Sequence, residues 1–256
     1  MNSRMLVGLF ATCALGGCAI DDEAEETSEV ASDLTSTFAT GMLTCSSSLG
    51  CSVTIAPIAA NRSCFIGGVK GYLQNGSIYI TVINGQNTLR VEPQPGHTLS
   101  ASATCITNAT PAYSQHWFGG DPAVSLGSGA TRHCAISAIY NQNAFTAQSD
   151  FTRTWKDANN HWWLGGSTPN KDTTVWATCW DGSATYGGWD YAWTSSTAVD
   201  VTLSQDAPGG GVACLLTKVG GFFTAATDEA QIYWNAPTTT WRARLARSSL
   251  QSYCVI

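Results

Sequence analysis

Through most of this chain apolar residues fall at every second position in short runs, the spacing that puts them all on one face of a strand. Ile78-Tyr79-Ile80-Thr81-Val82 is one such run, and Asn84-Gly85 follows it. Asn and Gly both accept the positive φ of a type I′ turn, so this reads as a hairpin returning through Leu89-Arg90-Val91. The one stretch that competes as a helix, from Thr240 to Leu250, also alternates, with Trp241, Ala243 and Leu245 two apart. Only 12% of residues are charged, and Ser, Thr, Asn, Gln and Gly supply most of the polarity. The pattern predicts an all-β fold.

The cysteines show how the strands are organised. Cys64-Phe65-Ile66, Cys134-Ala135-Ile136 and Cys214-Leu215-Leu216 open three similar segments; Thr104-Cys105-Ile106, Thr178-Cys179-Trp180 and Tyr253-Cys254-Val255 close them. Before each opening cysteine lies a short strand pattern: Val53-Thr54-Ile55, Val124-Ser125-Leu126 and Val201-Thr202-Leu203. After it lies a hairpin: Ile78 to Val91, Phe151 to Leu164 with a turn at Asp157-Ala158-Asn159-Asn160, and Ile232 to Ala243. We therefore expect three tandem β repeats, over 45–110, 111–181 and 182–256. The simplest pairing closes each on itself, Cys64 with Cys105, Cys134 with Cys179 and Cys214 with Cys254, leaving Cys45 with Cys51. No Cys-x2-Cys spacing occurs, which speaks against zinc and any other metal at these positions. Three short-linked copies would pack with pseudo-three-fold symmetry, propeller-like or prism-like, so as to protect sheet edges. The alternative is three separate beads.

The N-terminus follows different rules. Arg4 precedes an apolar run from Met5 to Leu15, too short for a bilayer span of about 20 residues, and Leu15-Gly16-Gly17-Cys18 ends it. These four residues resemble the lipobox of bacterial lipoproteins. The resemblance covers this segment alone and implies a signal peptide at 1–17, removed by cleavage before Cys18. Cys18 would then carry the lipid that anchors the protein to a membrane. Positions 18–44 hold Asp21, Asp22, Glu23, Glu25, Glu26, Glu29 and Asp33 without a Lys or Arg, as in an extended, disordered tether. Of 18 acids and 12 bases in the whole chain, the tether's seven acids and Arg4 lie outside the body, which leaves eleven of each. A formally neutral body argues against a nucleic-acid partner. Eight cysteines remaining after Cys13 and Cys18 fit four disulfides in a cell envelope, at the periplasmic face or cell surface.

All ten tryptophans follow residue 116. Aligning the segments puts Trp155 and Trp234 with Val82, Trp162 and Trp241 with Leu89, and Trp180 with Ile106 and Val255. Positions apolar in every copy are expected in the core. Trp117 and Trp193, four residues after Tyr113 and Trp189 in equivalent connectors, are also read as packing. Trp163 and Trp176 instead align with polar residues and are expected to be exposed. Beside them Asn160, His161, Asp181 and Asp190 could bind hydroxyl groups, which makes copy two a candidate glycan site. No Gly-x-Ser-x-Gly and no metal-binding histidine spacing occurs in the body, and no cofactor is implied. The expectation is a lipid-anchored envelope protein with a non-enzymatic β body that binds glycan or another surface component. The alternatives are a structural or protein-interaction role, and a glycoside hydrolase-like enzyme using Asp181 and Asp190.

Overall fold

The computed structural model describes residues 36–129, 131–168, 171–181, 189–204 and 212–255, without the side chains of 36–38, 189–193, 204 and 255. Cys18, the segment before it and the acidic residues at positions 21–33 all lie outside the described part. Seven strands precede position 110: β1 (Ser36–Ala39), β2 (Leu43–Cys45), β3 (Cys51–Pro57), β4 (Arg62–Gly71), β5 (Ser77–Ile83), β6 (Gln86–Glu92) and β7 (Leu99–Thr107). Six follow: β8 (Thr110–Phe118), β9 (Val124–Ser128), β10 (Arg132–Tyr140), β11 (Phe151–Lys156), β12 (His161–Ser167) and β13 (Thr174–Asp181). Six more complete the chain: β14 (Trp189–Ser195), β15 (Val199–Ser204), β16 (Ala213–Gly221), β17 (Glu229–Asn235), β18 (Thr240–Ala246) and β19 (Ser248–Val255). No α-helix occurs among the described residues.

The strands form three sheets, and each sheet takes strands from two sequence segments. One has the order β1-β7-β4-β17-β18-β15, with β2 also on β7; the second is β3-β6-β5-β10-β13-β8; the third is β14-β19-β16-β11-β12-β9. A segment thus leaves its opening and closing strands in one sheet and sends its hairpin to the next. Separate beads could not share sheets in this way, so the segments are parts of one body. Disulfides join Cys45 to Cys51, Cys64 to Cys105, Cys134 to Cys179 and Cys214 to Cys254. In the last three the bonded cysteines are direct cross-strand partners.

One hydrophobic core runs through all three sheets. The strands β4, β10 and β16 each contact the other two, and the residues that follow their opening cysteines, Phe65, Ala135 and Leu215, are buried. Near the starts of these strands a chain of rings links Phe65, Trp180, His133, Tyr253 and Trp162 at centroid distances of 5.0–5.7 Å. Beyond their far ends Leu73, Phe145 and Phe223 close the core; the amide of Leu73 donates to the Phe223 carbonyl, and that of Phe223 to the Phe145 carbonyl. The two phenylalanine loops share the sequence Phe-Thr-Ala-x-x-Asp. In each, the buried aspartate, Asp150 or Asp228, accepts hydrogen bonds from the Thr and Ala amides at 2.8–3.1 Å.

Register shifts recur at matching places. Each opening strand carries one three residues after its cysteine, at Gly67, Ser137 and Thr217. Each short strand ahead of it carries another, at Ile55, Leu126 and Leu203. An extra residue on one strand turns the following side chains and increases the local twist. This matters for the site, because β11 pairs with β16 only through Phe151, Thr152 and Arg153, and the two strands separate opposite Thr217.

Candidate functional site

The observed register changes the alignment on which the tryptophans were sorted. Thr88, Trp163 and Arg242 occupy the same place, each just ahead of the shift in its sheet, and Trp162 and Trp241 correspond to Asn87, not Leu89. Trp155 pairs with Trp163, as Tyr233 pairs with Arg242 and Thr81 with Thr88, so Trp155 does not share its position with Val82 or Trp234. Its expected place in the core is therefore wrong. The hairpins are the reason, since Trp155 and Trp163 lie eight positions apart and the equivalent Thr81 and Thr88 seven, and one extra residue moves the alternation by one. Trp155 is half-buried on the outer face, while its neighbour Thr154 is buried beneath. Trp162, Trp180 and Trp241 are core residues as expected, and so is Trp117. Trp193 lies among the side chains outside the described set. The indoles of Trp162 and Trp241 donate to the carbonyls of Arg132 and Val212, each two residues before an opening cysteine.

The outer face of the third sheet gathers most of the chemistry. Along β11 it carries Phe151, Arg153 and Trp155; along β12 it carries His161, Trp163 and, opposite Arg153, Gly165. Trp163 was expected to be exposed but is half-buried. Its indole N–H donates to Asp157 Oδ2 at 3.0 Å, and the His161 ring lies 5.4 Å from it. His161 Nε2 in turn lies 3.1 Å from Ser125 Oγ. Asp157 Oδ1 accepts from the amides of Asn159 and His161, at 2.9 and 3.0 Å, which shapes the turn. The Trp163 hydrogen bond, followed by the His161 amide, holds the Asp157 carboxyl below the usual carboxylate range. Asn160 sits at the αL position of the turn, φ 60°, and is exposed.

Where β11 and β16 separate, a cleft of about 440 Å³ opens, lined among others by Arg153, Trp155, Lys156, Asn160, Thr217 and Gln251. The Arg153 guanidinium stacks 4.6 Å from the Trp155 ring centre and 5.6 Å from that of Phe151. Lys218 Nζ lies 4.8 Å from the same Phe151 ring. Burial, then the charge of Arg153, pushes the Lys218 ammonium below its usual range.

Trp176 does not join this face. It lies on the second sheet, 36% exposed, with the His116 ring 4.7 Å away. It borders a separate groove of about 380 Å³ with Tyr140, Asn87 and the hydroxyls of Ser114, Ser137 and Thr178. The sequence placed Trp163 and Trp176 in one site, and the strand order separates them. Asp181 is not at either tryptophan: it pairs with Arg132, whose Nε and Nη2 donate to its two oxygens at 3.0 and 2.9 Å. That pairing holds the Asp181 carboxyl below its usual range, the opposite of what a general acid requires. The Asp190 side chain lies outside the described residues.

Sequence reading missed Arg153, Trp155, Thr217 and Lys218 as site residues. The alternation Phe151-x-Arg153-x-Trp155 was a usable signal, since those three share a face on any strand. Nothing local marked Thr217, which lines the cleft, or Lys218, which stands beside Arg153; both are placed there by the pairing of β16 with β11. No protein-family profile matches the chain, and no curated protein matches its sequence.

Proposed function

We propose that this protein is exported, held at a membrane surface through lipid on Cys18, and there presents a non-enzymatic β body that binds glycan on the outer face of its third sheet. The observation that carries the binding reading is the directly opposed pair Trp155 and Trp163, on neighbouring strands beside a cleft with hydroxyl and amide groups in its wall. Flat aromatic faces next to hydrogen-bonding groups suit sugar rings, which offer apolar C–H faces and polar edges. Four disulfides suit an oxidising compartment, and the Leu15 to Cys18 resemblance supplies the anchor. We also read residues 45–256 as three tandem copies about a pseudo-three-fold axis. The matched register shifts and the cyclic passing of each hairpin to the next sheet support that reading.

Binding is tested by titrating oligosaccharides of varied charge and linkage while following tryptophan fluorescence, with Trp155→Ala and Trp163→Ala as variants. Loss of binding in both, with folding intact, is the expected result. No binding by the unaltered protein would leave the structural or protein-interaction role in its place. For the anchor, Cys18→Ala should abolish incorporation of labelled fatty acid and release the protein from membranes.

A further inference from the structure

We propose that the cleft where β11 and β16 separate is built for an anionic sugar unit, with Arg153 in its wall and the neighbouring Lys218 beside it as the anchor for its carboxylate or phosphate group and Trp155 as the stacking wall. This rests on the glycan reading above and adds the ligand's charge to it.

The first support is how the body's cations are neutralised. Seven of the body's eleven cations, Lys70, Arg90, Arg132, Lys171, Arg242, Arg244 and Arg247, each have a carboxylate within 4.0 Å. Arg153 and Lys218 have none among the described residues. They are also direct cross-strand partners, so two like charges sit side by side, an arrangement that destabilises a sheet. Their charged heads lie against aromatic faces: Phe151 carries both cations and Trp155 stacks on the guanidinium. Such stacking leaves the edge of the guanidinium, with its N–H donors, free for a bidentate acceptor. An anion between the two would remove the repulsion and recover the cost of partly burying them.

The second support is independent of charge. Thr217 lines the cleft and is 2% exposed, and its buried hydroxyl has no hydrogen-bond partner among the described residues. A buried hydroxyl without a partner costs stability, and a ligand oxygen in the cleft would satisfy it. Gln251, the cross-strand partner of Lys218, lines the same cleft and offers an amide. The opposing charge is Asp157, also in the lining. Its oxygens already accept from the Trp163 indole and from turn amides, whereas Arg153 and Lys218 have no carboxylate within 4.0 Å among the described residues.

The test uses the body with its disulfides intact and three probes: a short oligogalacturonate, a neutral oligosaccharide of the same length, and inorganic phosphate. Calorimetry should show the acidic oligomer binding at least tenfold more tightly than the neutral one, with affinity falling as salt is raised. Arg153→Gln and Lys218→Gln should each weaken it about tenfold or more. Thr217→Val should weaken it severalfold while leaving the urea midpoint unchanged or raised, which a merely structural threonine would not do. Equal affinity for acidic and neutral oligomers, or indifference to both cation variants, would overturn the anionic assignment and leave glycan binding standing. Phosphate binding as tightly as the acidic oligomer, unaffected by Trp155→Ala, would overturn the sugar part and keep the cation pair as an anion site. If no probe binds, both readings fall.

Discussion

His133 gives the body a pH dependence that can be calculated and then removed. Its imidazole is 1% exposed, stacked between Trp180 and Tyr253 at 5.3 and 5.7 Å, and neither ring nitrogen has a hydrogen-bond partner among the described residues. Burial, assisted by the nearby charge of Lys156 and opposed by that of Asp181, lowers its pKa from 6.5 to about 4. The unfolded chain therefore takes up this proton near pH 6.5 and the folded one only near pH 4. Between those values the unfolded state binds more protons, so stability falls as pH falls. Stability is unaffected by this group above about pH 6.5, and going to pH 4.5 costs on the order of 2–3 kcal/mol. With a urea slope of about 2.5 kcal/mol per molar, the unfolding midpoint drops by about 1 M. The depressed carboxyls of Asp157, Asp181 and Asp200 act in the same direction, but only below the ordinary carboxylate value of 3.8, outside this window. The assay is urea unfolding followed by tryptophan fluorescence at several pH values, for the unaltered protein and for His133→Phe, which keeps an aromatic ring in place. The variant should have a flat midpoint over the window. Parallel curves for the two proteins would refute the assignment.

Other consequences follow from the core and the surface. Replacing Cys64 and Cys105 together by serine opens a loop of 41 residues and should cost about 4 kcal/mol in the chain-entropy estimate, read as a lower denaturant midpoint with oligosaccharide binding retained under native conditions. Trp162→Ala removes a 1% exposed indole and its bond to the Arg132 carbonyl, so a loss of about 3–5 kcal/mol is expected in the same unfolding assay. Arg132→Ala breaks an ion pair whose carboxylate side chain is 46% exposed, and after solvent screening it should cost no more than about 1 kcal/mol. Asp181→Asn should leave oligosaccharide binding unchanged, because the carboxylate is engaged by Arg132 away from Trp155 and Trp163; lost binding would contradict the site as placed here.

How much of this was legible in the sequence depends on the range over which each feature is set. Alternation set the fold class, because a strand with one buried face needs an apolar residue at every second position. The cysteine spacings singled out the bonded pairs, since strands closing similar segments bring their ends together in the same way. The core tryptophans Trp117, Trp162, Trp180 and Trp241 were recognisable for a similar reason. Phe145-Thr-Ala-x-x-Asp150 and Phe223-Thr-Ala-x-x-Asp228 were equally plain, although their role in closing the core appears only when the two loops meet. Trp155 was misjudged because its facing depends on turn length, and one residue of slip inverts every side chain of a strand.

The sequence by itself determined the elements, the apolar positions that drive them together, and the gathering of seven acids into positions 21–33. Only the tertiary structure decided which strands became neighbours. Sheet pairing is non-local: hydrogen bonding from β11 to β16 is what sets Arg153 beside Lys218, though 65 positions separate them, and what opens the cleft beyond. The same strand order put Trp163 and Trp176 on different sheets although they lie 13 residues apart. A strand's own alternation fixes which residues share its face, but the charge and the space around them come from the strand laid alongside.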